Sequence, residues 1–184
     1  MGMAKVRDDA IGGGGAQSTN FSAIMHNIIN QMLLSIKAGP TAQRAIAALK
    51  AGEKPVIALA NTMESFVKDF AAEAGIEMDQ AIDIDFGVVL KRYLERTLRI
   101  TVRKPDETYT HVQIPLAKIP GHLQTLYREA DRLIKDGNYD GLPVSPIDWI
   151  RAELIKAGHT VAEVTGRTTM IDYTQSPPRY VNRP

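Results

Sequence analysis

The sequence predicts an α/β fold: part of a parallel sheet with flanking helices, interrupted by an α+β insertion of helix, β-hairpin and helix. Three observations carry this expectation. A short apolar run from Val56 to Ala60 stops at Asn61-Thr62, and a helical pattern of Phe66, Val67, Phe70, Ala71 and Ala74 follows at once. That is the pattern of a buried parallel strand feeding a helix. A second run, His159 to Val164, closes on Thr165-Gly166-Arg167 after another helical segment. Strand, helical crossover and strand form a right-handed unit, so both strand ends are expected at one edge of the sheet. Between them, Leu98, Ile100 and Val102 alternate as a hairpin strand does.

The elements follow in order. Residues Met1 to about Ser18 contain Gly12 to Gly15 and read as a flexible linker, because no lysine follows the glycines as a Walker loop requires. From about residue 19 the main domain begins. Phe21, Ile24, Ile28, Met32 and Ile36 recur at steps of three and four, and Met25, Ile29 and Leu33 widen the stripe. This is a helix expected to end near Gly39-Pro40, with an apolar face broad enough to call for a partner. Thr41 is placed to cap a second helix through Ala45, Ile46 and Leu49 to Gly52. The strand Val56–Ala60 and the helix Met63–Ala74 come next, with Thr62 as N-cap and Gly75 as the stop.

An insertion is expected from about residue 75 to 142. Phe86, Val89, Leu90, Tyr93 and Leu94 mark its first helix. A turn at Pro105 to Thr108 joins the Leu98–Val102 strand to a return strand from Tyr109 to Ile114. Leu123, Leu126, Tyr127, Ala130, Leu133 and Ile134 mark its second helix. Ser145-Pro-Ile-Asp148 then opens a helix with serine at the N-cap, proline at N1 and a carboxylate near the positive dipole end. Ile147, Ile150, Leu154 and Ile155 are expected to face inward, and Gly158 ends the helix. Short strands are expected around Met170–Tyr173 and Arg179–Val181.

Composition narrows the function classes. The 184 residues carry a formal net charge of +1, so attraction to nucleic acid must come from a local patch. There is no cysteine, which excludes disulfides, thiolate nucleophiles and zinc–thiolate sites. No apolar run approaches the roughly 20 residues that span a bilayer, and no apolar signal core opens the chain. The expectation is a cytoplasmic protein without a membrane partner.

Three groups of residues are candidates for binding. Asn61 and Thr62 lie at a strand's carboxyl end and a helix N-terminus, where unpaired N–H groups hold phosphate; Thr62 as a helix cap alone reads equally well. Thr165, Gly166 and Arg167 offer a glycine for close backbone approach and a bidentate phosphate donor, or else a turn beside a solvated arginine. Lys91, Arg92, Arg96, Arg99, Arg103 and Lys104 form a basic cluster opposed by Glu95, with Arg92, Arg96 and Arg99 on one helical face. Such a patch tracks a phosphate backbone or is a plain solvated surface. The four histidines lack ligand spacing, and Trp149 reads as packing.

These residues also carry a resemblance. Gln31-Met-Leu-Leu34 with Lys37-Ala38, Gly52-Glu-Lys-Pro-Val-Ile57, Ala60-Asn-Thr-Met63, Asp83-Ile-Asp-Phe86, Tyr93-Leu-Glu-Arg96, Pro143-Val-Ser-Pro-Ile-Asp148 and Val161-Ala-Glu-Val-Thr-Gly-Arg167 run in order from about Asn20 to Pro184. The chain thereby resembles an incomplete C-terminal helicase domain of strawberry notch-type proteins, the second RecA-like lobe of a superfamily-two helicase. Relatives of this type in bacteria, phages or plasmids often sit beside DNA methylase modules.

The resemblance implies ATP-driven work on nucleic acid, with DNA the expected partner and a first RecA-like lobe supplied in cis or in trans. ATP and Mg2+ are implied for the complete parent enzyme, and none for this chain alone. It lacks the lysine loop, the Asp-Glu box and the late Gln-x-x-Gly-Arg-x-x-Arg segment, so the 184 residues are not expected to hydrolyse ATP. Two other readings stay open: a non-catalytic DNA- or protein-binding module, and a truncated fragment without function.

Overall fold

The computed structural model describes residues 21–103 and 108–183. The glycine-rich start and most of the expected turn at Pro105 to Thr108 lie outside the described residues. The main body holds most of helix α1 (Phe21–Lys50), helices α2 (Glu64–Ala74) and α5 (Pro146–Lys156), strands β3 (Thr169–Asp172) and β4 (Arg179–Asn182), and the start of α3 (Phe86–Arg96). The insertion holds the rest of α3, β1 (Arg99–Arg103), β2 (Tyr109–Gln113) and α4 (Gly121–Asp136). The described residues divide into two compact units, one of 21–28 with 87–138 and the other of 29–86 with 139–183.

The described fold is mixed helix and sheet, with two separate antiparallel strand pairs, β1–β2 and β3–β4. Neither expected parallel strand forms among the described residues. Residues 53–59 and 159–165 run as irregular chain with neither helix nor strand. Val56 is 94 % exposed and Val164 fully exposed, whereas Ile57, Leu59 and Val161 are half-buried against the helices behind them. The apolar alternation therefore serves to cover helices. A ladder needs a neighbouring strand on at least one side, and neither segment has one.

Helix α1 also departs from expectation. It passes through Gly39-Pro40 as one 30-residue helix. Pro40 removes the N–H that would bond to the Ile36 carbonyl. Packing offsets this cost: Ala38, Ala42 and Ala45 are buried on α5 against Ile150 and Leu154. This apolar cluster spans the point where the helix was expected to break. The helix stops before Gly52, which takes φ +81. Its other face leaves Met25, Ile29, Leu33 and Ile36 between 39 % and 49 % exposed.

The remaining elements follow the sequence closely. Gly75 adopts φ 67 at the end of α2, and the N–H of Ile76 reaches the Ala71 carbonyl at 2.8 Å. Ser145 is the N-cap of α5 with Pro146 following it, although its hydroxyl bonds to Asp148 Oδ2 instead of a backbone N–H. Ile150 and Leu154 are buried, but Ile155, expected inside, is 37 % exposed. Trp149 packs against the α1–α5 core. In the insertion, Leu98, Ile100, Ile114 and Ile119 form a separate core, with Leu123 and Tyr127 of α4 packed on it. β4 also meets the chain at Ala81, and Tyr180 exchanges backbone bonds with Asp79 and Gln80.

Candidate functional site

Residues 55–59 and 160–165 flank a cleft of about 650 Å³ whose floor is Ile147, Ile150 and Leu154 of α5 with Leu49 of α1. Both segments leave paired helices and lead toward a common junction. There Glu64 Oε1, in the first turn of α2, accepts the backbone N–H groups of Thr168 at 2.6 Å and Thr169 at 3.0 Å. Thr62 and Thr165 both line the cleft. The two expected tips thus share one cleft, though as loop ends and not as strand ends.

Arg167 dominates the junction. Its side chain is 2 % exposed, with Nε and Nη2 donating to the two oxygens of Glu163 at 2.5 and 2.6 Å. Its Nη1 stands 2.5 Å from Asp148 Oδ1, and Asp148 is equally buried. Asp148 Oδ2 accepts from the Ser145 hydroxyl at 2.6 Å and from the Ile171 N–H at 2.9 Å. The carboxylate so joins the start of α5 to β3. Arg183 Nη1 adds a bond to Thr165 Oγ1 at 2.6 Å and a contact to Glu163 at 3.2 Å.

The electrostatics follow from these contacts. Hydrogen bonds from Arg167, opposed by burial and aided by Thr165 and Arg183, hold the Glu163 carboxyl down at about 2. Glu64 also lies at about 2: burial pushes it up, but the bonds from Thr168, Lys68 and Thr169 outweigh that. Burial pushes the Asp148 carboxyl up, against the pull of Arg167, Ser145 and Ile171.

These positions change how the candidate residues read. Arg167 is spent on two carboxylates, so its guanidinium is not offered to a phosphate in this state. Thr165 has its hydroxyl bound on both sides, by Glu163 and Arg183. Gly166 is exposed, with no neighbour within 4 Å of where a Cβ would stand, so close packing does not demand glycine there. Thr62 is not the N-cap: Met63 takes that place with φ 59, and Asn61 Oδ1 accepts its N–H at 2.8 Å. Glu64 brings a negative charge to the helix end where a phosphate was expected.

The basic cluster is also divided. Arg92 is buried at 6 % and does not share an exposed face with its neighbours. Arg96 lies over the Tyr93 ring, 5.6 Å from its centre, and Arg96 and Arg99 are half-buried while Lys91 is exposed. Sequence reasoning missed Glu163, Arg183 and Glu64. The spacing of Glu163 four residues before Arg167 was a visible signal, but it is a helical spacing in a segment read as a strand. Among the described residues, no group of three acidic or histidine side chains is placed to hold a metal ion. No helix among them is long and apolar enough to cross a membrane.

No protein-family model, curated protein or solved structure matches this chain.

Proposed function

We propose that this chain is a non-catalytic, nucleic-acid-binding lobe of an ATP-dependent helicase or translocase. A first RecA-like lobe, in cis or in trans, supplies the nucleotide site with its ATP and Mg2+. In this reading residues 55–59 and 160–165, which pair with no strand here, gain strand partners only when a partner lobe docks.

The observation that carries the reading is the shared cleft: two irregular segments, each following one of two packed helices, bring Thr62 and Thr165 to its lining. The resemblance calls for this convergence at the ends of two neighbouring parallel strands, whereas here the segments meet as loop ends outside any sheet. Nucleic-acid contact falls mainly to the insertion, where Lys91, Arg96 and Arg99 retain exposure, because Arg167 and Thr165 are already engaged. DNA is the expected polymer.

Fluorescence anisotropy with a labelled single-stranded DNA tests this. Binding by the purified chain should weaken steeply as salt rises from 50 to 200 mM, as phosphate neutralisation demands. Steady-state ATP hydrolysis by the chain alone should stay at background. No binding at the low-salt end, or DNA-stimulated turnover by the chain alone, overturns the proposal.

A second reading has its own observation. The α1 stripe of Met25, Ile29, Leu33 and Ile36, one to three turns apart and partly exposed, fits a module that docks on protein instead. Sedimentation showing a stable self-associated species, together with no DNA binding, favours that reading.

A further inference from the structure

The β1–β2 hairpin has two unlike faces. Its register sets Arg99 opposite Gln113, Thr101 opposite His111 and Arg103 opposite Tyr109. Strand side chains alternate, so these six positions share one face. Ile100 and Val102 occupy the other and join the insertion's core. The first face therefore has a packed support behind it and polar or aromatic groups in front.

Tyr109 is 62 % exposed on that face, and His111 is exposed beside it. Thr101 Oγ1 lies 3.2 Å from His111 Nδ1, and Gln113 Nε2 donates to the Glu95 carbonyl at 3.3 Å, so two of the polar groups are held in place. The rings of residues two apart on a strand stand about 7 Å from one another. Two exposed ring faces at that interval, with Arg99 toward one end of the face, make a stacking platform beside a cation.

We infer that this hairpin face binds single-stranded nucleic acid, with a base stacked on Tyr109 and a phosphate held by Arg99. The inference rests on the nucleic-acid reading above and adds the strandedness and the contacting face. The charge of the face complements a phosphate chain. The exposed tyrosine ring separates this ligand from an acidic peptide, which has no base to stack. It also separates it from a duplex, whose bases are already stacked on one another.

The experiment is anisotropy of a labelled oligothymidylate with the full chain and three variants, each checked for an unchanged thermal melt. Tyr109→Ala should weaken binding about ten-fold, within the range of a lost base stack, and Tyr109→Phe should retain it. Arg99→Ala should lower the slope of log affinity against log salt by about one. Binding that ignores both Tyr109→Ala and Arg99→Ala overturns the inference while leaving the nucleic-acid reading intact. Duplex DNA bound as tightly as the single strand, or polyglutamate competing equally well, also overturns it. Binding of neither polymer overturns the underlying reading.

Discussion

Arg167 and Asp148 form an ion pair in which both side chains are 2 % exposed, Nη1 and Oδ1 standing 2.5 Å apart. Arg167 also grips Glu163 with two further nitrogens. One guanidinium thus spans the segment that borders the cleft and the helix that forms its floor. Its role is to fix residues 163–171 against α5.

Removing that guanidinium leaves a buried carboxylate without a counter-charge. Arg167→Met should cost about 3–5 kcal/mol, far more than a surface pair would. Arg167→Lys should recover little, because an ammonium cannot make the two-pronged contact with Glu163. In urea unfolding, the double variant Arg167→Met with Asp148→Asn should be less destabilised than the two single costs combined. Strict additivity would show that the pair is not energetically coupled.

Acid should loosen the same junction. Glu163 and Glu64 both lie near 2 in the folded chain, below the ordinary 4.5 of an unfolded glutamate. Their contribution is fully present above pH 4.5 and is lost as pH falls from there through 2. Asp148 is raised and runs the other way, so it offsets part of the loss. Melting temperature should therefore drop from pH 5 toward pH 2, and Glu163→Gln should flatten that drop. A profile with unchanged slope in the variant contradicts the assignment.

Helix α1 gives a test of its continuity. Pro40→Ala restores a backbone donor inside a helix and should stabilise the chain by about 1–3 kcal/mol. Gly39→Ala should add about 1 kcal/mol, since a Cβ there meets nothing within 4 Å. Were the chain two helices broken at these residues, either change would leave stability unaltered or lower it. Chemical denaturation distinguishes the two.

At the start of α2 the side-chain bond is made by Asn61, whose Oδ1 accepts the N–H of the N-cap residue Met63. Asn61→Ala should cost about 1 kcal/mol, whereas Thr62→Ala should fall within about 0.5 kcal/mol of the parent. A reversed order, measured the same way, would restore Thr62 as the capping residue.

How far the sequence could be read depended on the range of the interactions involved. Gly75, Ser145-Pro146 and the alternation at Leu98, Ile100 and Val102 act within a few residues, and each marked its element correctly. The runs at Val56 and His159 misled because a strand exists only beside another strand, and that neighbour is not a local property. Pro40 was overridden by alanines that bury against Ile150 and Leu154, more than a hundred positions away. Arg167 was read as a phosphate donor because its partner Asp148 lies nineteen residues earlier, on a different element. Tyr109 and His111 were legible as strand residues, but their exposure came only with the register of the hairpin.

The central claim is that this chain holds nucleic acid through its insertion. Because it has no cysteine, a photoreactive maleimide can be attached at single engineered positions. Thr101→Cys, on the polar hairpin face, should crosslink to single-stranded DNA with a yield that falls as salt rises. Leu133→Cys, exposed on α4, should give only background. Equal yield from both sites, or none from Thr101→Cys under conditions where Thr165→Cys reacts, would contradict the claim.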